Sequence, residues 1–387
     1  MDVMHAPVTR EANLYPNAKP IRKIGLVVDH PLRDLDGMCL LAQILSESGV
    51  KVVLLPFYTQ HFDLPNIDLD LIVLNYARPA NRALIDAALA RGIGVCVLDT
   101  EGGLIPHEGP TSASGIAAFL HQSGLDKALS LYLFWGEHLR DVVLAKTDLP
   151  AKRAIVTGCP RFDLTQKASD ARPRRVLVNT NFPVVNSAHT NGGDIDDKAL
   201  QSIGFNSAEI SRLTATVSLV MGRMIDAITA LAKARPEREF VVRPHPFERI
   251  EPYVTAFSDM PNIKVERLGT AMDAISASDC LLHVNCTTAI EACLCAVPPI
   301  SLDFVNDPAL KAMAQLPSEI SHSARSLEQA LAAIDHPERL SPGVRQDRIT
   351  PYFGPLDGQS AKRVAAALLE TPKCSALGLK LAPFSVF

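Results

Sequence analysis

The sequence predicts an α/β chain built from two successive halves, each a parallel sheet with helices on its faces. Three observations predict it. The chain has 387 residues, more than one ordinary core fills. Short runs rich in Val, Ile and Leu alternate with segments of helical spacing. The alternation lapses at a polar, Pro- and Arg-containing stretch (KASDARPRR, 167–175) and then restarts.

In the first half, KIGLVVDH reads as a buried strand. LDGMCLLAQILSESG follows with helical spacing at Met38, Leu41, Ile44 and Leu45, and stops at Gly49. VKVVLLPF and DLDLIVLNY are strands, ANRALIDAALARG is a helix ending in glycine, and IGVCVLDT is a strand that runs into Glu101-Gly102-Gly103. LSLYLFWG and AIVTG are short strands, and GCPRFDL closes the half. In the second half, RVLVNTNF is a strand, residues 186–197 a polar loop, and Ser207 to Ala234 a long helix. REFVVRPHP, IKVERL, CLLHVN and VPPISLDF are strands. AMDAISASD, TTAIEACLCA and GQSAKRVAAALLE are helices. The expected organisation is an arm at 1–20, a first domain at 21–168, a second at 169–352, and a closing helix and tail at 353–387.

Composition narrows the function. Apolar residues make up 47% and charged residues 21%, which is globular. The net charge of −4, with acids and bases interspersed, argues against nucleic acid as a partner. No apolar run reaches the roughly 18–20 residues of a membrane span, and the N-terminus lacks a signal-like apolar stretch. Cytoplasmic residence is expected, with peripheral association at the inner face of the membrane if the acceptor is lipid-linked. Cys39, Cys96, Cys280 and Cys293 lie in apolar segments and are expected as buried, reduced thiols. Cys286, Cys293 and Cys295 lack a second pair at zinc spacing, so no metal is expected. Asp68 and Asp70 form a D-x-D that leads into a strand, so a surface role is expected. Trp135 and Phe134 are expected in the core.

Ligands of open α/β sheets bind beyond the carboxyl ends of the strands. Polar residues gather there: Asp29-His30, Asn75, Asp99 to Gly103, Gly158 to Asp163 (including Arg161), Asn179 to Asn181, Arg243 to Pro246, Asn285 to Thr288, and Asp303. In Arg243-Pro244-His245-Pro246 two prolines hold the histidine out of regular structure. Arg243 suits phosphate and His245 can donate to it, although a rigid turn alone explains the motif equally well. Thr288 and Glu291 stand at capping-box spacing. The same helix start, with Thr287, suits phosphate, and Glu291 is a candidate for a ribose diol. Asp99 and Glu101 offer a general base or nucleophile, and Gly102-Gly103 would admit an acceptor close to the backbone. No G-x-G-x-x-G, P-loop or G-x-S-x-G motif supports a dinucleotide, kinase or hydrolase reading.

The segments VLDTEGG, FWGEHLRD, VTGCPRFD, VLVNTNF, VVRPHPFE and HVNCTTAIEA resemble a bacterial family of surface carbohydrate biosynthesis proteins, over about residues 22–370. The resemblance implies a GT-B fold, two Rossmann-like domains with parallel sheets facing a central cleft. The acidic-Gly and His-Pro elements are also similar to those of CMP-sugar transferases acting on sialic acid or Kdo. That likeness implies Glu101 as the catalytic carboxylate, His245 on the CMP phosphate, and Thr287 with Thr288 beside it. The first acid of the acidic pair is Thr100 here, so the choice between Asp99 and Glu101 stays open. The implied activity is metal-independent transfer from a nucleotide-sugar donor, CMP-activated, to a glycan or lipid-linked glycan, with no further cofactor. Arg243, Asn285, Glu291, Arg161 and Asn181 are the remaining donor-binding candidates. CDP-polyol phosphotransfer, nucleotide-sugar epimerisation and an inactive scaffold are the alternatives.

Overall fold

The computed structural model describes residues 21–372 except 104, 107–108, 166–174, 191–196, 199, 202–204, 314 and 339–346. The expected arm, most of the interdomain linker, the middle of the 186–197 loop and the tail beyond 372 lie outside the described residues.

Twelve strands form two six-stranded sheets among the described residues, every pairing parallel. The first sheet contains β1 (Lys23–Val28), β2 (Lys51–Pro56), β3 (Leu71–Leu74), β4 (Gly94–Leu98), β5 (Leu131–Phe134) and β6 (Ala154–Val156), in the order β2-β1-β3-β4-β5-β6. The second contains β7 (Arg175–Asn179), β8 (Glu239–Arg243), β9 (Ile263–Val265), β10 (Cys280–His283), β11 (Pro299–Leu302) and β12 (His322–Ala324), in the order β12-β11-β10-β7-β8-β9. The fold is GT-B, with two Rossmann-like domains. The central strands LIVL, GVCVL and LYLF are buried at every position, as a sheet covered on both faces requires. Strand order reverses between β1 and β3 in one sheet and between β7 and β10 in the other, and such reversals open a ligand crevice.

The helix Pro31–Glu47 buries Met38, Leu41 and Leu45, and Gly49 then takes φ 83°, a backbone state that favours glycine. Cys39, next to buried Met38, turns the other way and is exposed, against expectation. The helix Ser207–Ala234 starts on a reciprocal cap between Asn206 and Glu209 and lays Val217, Val220, Met224, Ile228 and Leu231 on the second sheet. Its 28 residues are long and apolar enough to cross a membrane, which corrects the expectation that no segment is; its buried stripe marks it as a core helix here. The helices Ala113–Gln122, Glu137–Lys146 and Leu327–Asp335, and strand β12, were not read from the sequence.

Asp70 corrects another expectation. It is buried, and one carboxylate oxygen accepts the backbone N–H groups of Arg22 (2.7 Å) and Lys23 (3.0 Å), fixing the start of β1. Trp135 and Phe134 are buried as expected. The closing helix Ser360–Glu370 packs back on the first half. Asp163 caps its start, accepting from Ser360 N (3.0 Å) and Ala361 N (2.7 Å). Its Val364 and Leu368 share a core with Met38, Leu41 and Leu45, and with Ala289, Ile290 and Leu294 of the second half. One apolar cluster therefore crosses the seam between the domains.

Candidate active site

A cleft of about 1120 Å³ lies between the two sheets' carboxyl ends. Glu101, Arg161, Asn181, Arg243, His245, Asn285, Thr287, Thr288 and Glu291 all line it. Residues far apart in sequence thus share one opening. Asp99 does not line the cleft; it borders a separate small void with Asp34 and Arg161. Asp303 is not among the lining residues either, being held by Ser301, Ser323 and Lys311.

The first domain's wall is ionic. After β4, Asp99 is 3% exposed and accepts from the Glu101 backbone N–H (2.9 Å) and from Arg78 (3.3 Å). Burial raises its carboxyl pKa, opposed by Arg78. Glu101 keeps 56% of its side chain exposed, with Arg78 at 3.5 Å. Of the two acids, Asp99 positions and Glu101 is open to a ligand. Gly103 lines the cleft, and packing also requires both glycines to be small. A Cβ on Gly103 would lie 2.7 Å from the Phe353 ring, and one on Gly102 3.2 Å from Trp135. Gly103 meets the returning C-terminal segment, and Gly102 meets the residue that follows β5.

After β1, Asp29 accepts from Asn75 (2.7 Å) beyond β3, bridging the strand-order reversal. His30 caps the next helix, its Nδ1 accepting from Leu32 N (3.2 Å). Arg33, one turn in, donates to Asp34 (2.9 Å) and to Asp29. Sequence reading marked Asp29 and His30 but missed Arg33 and Arg78; a basic residue one turn past a strand end was the available signal.

The second domain's wall also carries charge, in Arg243, Asp273, Glu291 and Glu319, but its His245 and Thr287–Thr288 loops are neutral. His245 Nδ1 accepts from the Phe247 N–H (3.2 Å), so Nε2 carries the hydrogen in the neutral ring. Burial and then Arg33 push its pKa down to about 4. Glu248, fully buried, holds the surrounding loops. Oε1 accepts from Thr180 Oγ1 (2.8 Å), Phe182 N (3.0 Å) and His245 N (3.1 Å), and Oε2 accepts from Tyr253. Glu248 was missed, although it stands three residues after His245, the spacing at which a carboxylate reaches back to a backbone N–H. Arg243 donates to the Leu268 carbonyl (2.8 Å) and the Gly269 carbonyl (2.7 Å). Arg267 holds the carbonyls of Pro246 and Glu248, both at 2.8 Å.

After β10, Asn285 adopts φ 51° and its Oδ1 accepts from Asn306 (2.9 Å). Its carbonyl receives Asn181 at 3.5 Å, which ties the ends of β7 and β10 at the second reversal. The helix Thr288–Leu294 begins on Thr287, and the expected Thr288–Glu291 capping box does not form. Thr288 Oγ1 instead meets Cys286 Sγ (3.0 Å), and Glu291 turns to Arg161 across the seam at 3.7 Å. Arg161 Nε and Glu291 Oε2 are buried and make no hydrogen bond. A long-range charge outcompetes the local cap.

His121, Asp126 and Asp148 form one group compact enough for a metal ion, but Asp148 is engaged by Lys127 (2.9 Å) and none of the three lines the cleft.

No protein-family model matches the sequence, and no curated protein does. Solved structures do resemble it in fold. The Staphylococcus aureus MnaA–UDP structure superposes with a TM-score of 0.55 at 11% identity, covering 89% of this chain and 95% of that one. The Methanocaldococcus jannaschii UDP-GlcNAc 2-epimerase, in complex with UDP-GlcNAc and UDP, gives 0.51 at 12%, covering 89% and 99%. The wall teichoic acid polymerase TagF, soaked with CDPG, gives 0.52 at 8%, covering 92% and 90%. At these identities the likeness establishes the architecture, and this chain has the GT-B fold of those proteins.

Proposed function

We propose that the chain is a metal-independent glycosyltransferase of surface-polysaccharide biosynthesis, moving a Kdo- or sialic-acid-like sugar from a CMP-activated donor to a glycan acceptor. One observation carries the reading: an open carboxylate, Glu101, shares a single cleft with the His245 and Asn285–Thr288 loops of the opposite domain. His245 Nε2–H and the hydroxyls of Thr287 and Thr288 are suited to the donor phosphate. Arg161 Nε and Glu291 Oε2, buried without hydrogen bonds, suit the ribose diol.

In the transfer, Glu101 takes the proton of the acceptor hydroxyl. The acceptor oxygen bonds to the anomeric carbon as the bond from that carbon to the phosphate oxygen breaks. The electron pair leaves with CMP, and the His245 hydrogen bond stabilises the charge that develops. Asp99 orients Arg78 and the Glu101 backbone. Nucleotides in neighbours of the same fold, UDP in MnaA and CDPG in TagF, support a nucleotide in this cleft.

Calorimetry with CMP, CDP, UDP and GDP tests the reading. CMP binding is expected; binding of none of the four overturns it and leaves a scaffold. The epimerase neighbour favours a second reading, nucleotide-sugar epimerisation. Conversion of UDP-GlcNAc alone, with no acceptor and no nucleotide released, would establish that instead. The TagF likeness favours a third reading, and turnover of CDP-glycerol but not CMP-Kdo would select it.

A further inference from the structure

Among the described residues, the cations on the phosphate side of the cleft are already engaged by other groups. Arg243 is turned onto the carbonyls of Leu268 and Gly269, and Arg267 onto those of Pro246 and Glu248. Lys311 is bound to Asp303. The residues suited to phosphate, His245, Thr287 and Thr288, are neutral. A nucleotide phosphate carries one or two negative charges and is ordinarily met by a cation.

The other domain holds one in place. Arg33 lines the same cleft. Its Nε is fixed by Asp34 and its Nη2 by Asp29, and Nη1 makes no hydrogen bond to the described residues. Two carboxylates that grip two edges of a guanidinium set its plane and leave the third edge for a ligand oxygen. The two walls already meet here. His30, three residues before Arg33, packs edge-on against Phe247 at 5.4 Å, and His245 packs against the same ring at 5.3 Å. Arg161 also lines the cleft, but it faces Glu291 across the seam at 3.7 Å, the pair that the reading above gives to the ribose.

We propose that Arg33 is the cation of the phosphate site, contributed by the opposite domain, so that the donor phosphate is clamped between Arg33 Nη1 and the His245 and Thr287–Thr288 loops. This rests on the nucleotide reading above and deepens it. The ligand is a phosphate joined to a nucleoside: the loops and Arg33 hold the phosphate, and Arg161 and Glu291 in the same cleft stand for the ribose. Donor binding then draws the domains together, and the leaving group departs into a site with a fixed positive charge.

The test is calorimetry of CMP with the full chain, its R33Q and R33K variants, and inorganic phosphate as a control. R33Q is expected to weaken CMP by about 10–100-fold, the loss of a charge-assisted hydrogen bond, with R33K recovering part of it. Phosphorus NMR titration of bound CMP supplies a readout that a purely structural Arg33 would not move. The bound phosphate should titrate at higher pH in R33Q than in the wild type, since a cation beside it is removed. Wild-type CMP affinity in a folded R33Q, or an unmoved phosphate titration, overturns the clamp while leaving the nucleotide reading intact. Failure of the wild-type chain to bind any nucleotide overturns the reading itself. Equal binding of inorganic phosphate and CMP overturns the nucleoside requirement.

Discussion

The two walls of the cleft solve the same problem by opposite means. The first domain lines its strand ends with ionised groups held in pairs: Asp29 and Asp34 with Arg33, and Asp99 and Glu101 with Arg78. The second uses a neutral histidine, hydroxyls and amides, organised by one fully buried carboxylate, Glu248. Glu101 on one wall is open to a ligand, whereas Glu248 behind the other serves the fold. Glu101 and Glu248 make the contrast plain. One is largely exposed beside a single arginine; the other accepts from two loops and from Tyr253.

Substitutions can break or sharpen that contrast. The largest effect is expected from E101Q. Turnover should fall by roughly 10²–10⁴-fold if the carboxylate is the base. CMP affinity and unfolding midpoint should hardly move, because the side chain is exposed. Near-normal turnover would end its role. E248A should do the reverse in kind. Thr180, Phe182, His245 and Tyr253 would lose their shared acceptor, and urea unfolding should show a loss of about 3 kcal/mol or more. A stable E248A with intact CMP binding would mean that the loops hold themselves. H245A comes next, with CMP affinity reduced about 10–100-fold and little change in stability; unchanged affinity would remove it from the phosphate site.

The smallest effect is on pH dependence, where buried histidines and buried carboxylates should differ in sign. His245 and His283 are both held at about 4 by burial, below the ordinary value of 6.5. A depressed histidine leaves the fold unaffected above 6.5 and weakens it as pH falls towards 4, because the unfolded chain takes up the proton first. Asp29 and Asp99 are raised from 3.8 by burial. Their contribution is greatest below 3.8 and fades as pH rises through the raised values. Hydrogen exchange at pH 7 and pH 5 should therefore show the loops at His245 and His283 loosening on acidification, with the His30 turn, whose pKa burial also lowers, while the Asp99 loop does not. Equal loosening of the Asp99 loop would contradict the difference drawn between histidines and carboxylates.

Much of this was legible in sequence because it depends on neighbours in the chain. Buried strands announce themselves as apolar runs, and the rule that ligands gather at strand ends found Glu101, His245 and Asn285 without coordinates. What was hidden depends on partners far away. Glu291 looked like half of a local cap, but its partner is Arg161, from the other domain. Asp70 looked exposed, but it holds backbone amides of Arg22 and Lys23. The glycines after Glu101 looked like a door for substrate, and their size also answers to Phe353 and Trp135. The local cap rule was sound but belonged elsewhere, at His245 and Glu248.

The closing helix has a consequence for dissecting the molecule. Because Ser360–Glu370 is capped by Asp163 and covers Met38, Leu41 and Leu45, the first lobe is assembled from two separate stretches of chain. A cut between β6 and β7 does not yield two self-sufficient pieces. The second lobe is contiguous, and its mate is whole only when the closing helix travels with it.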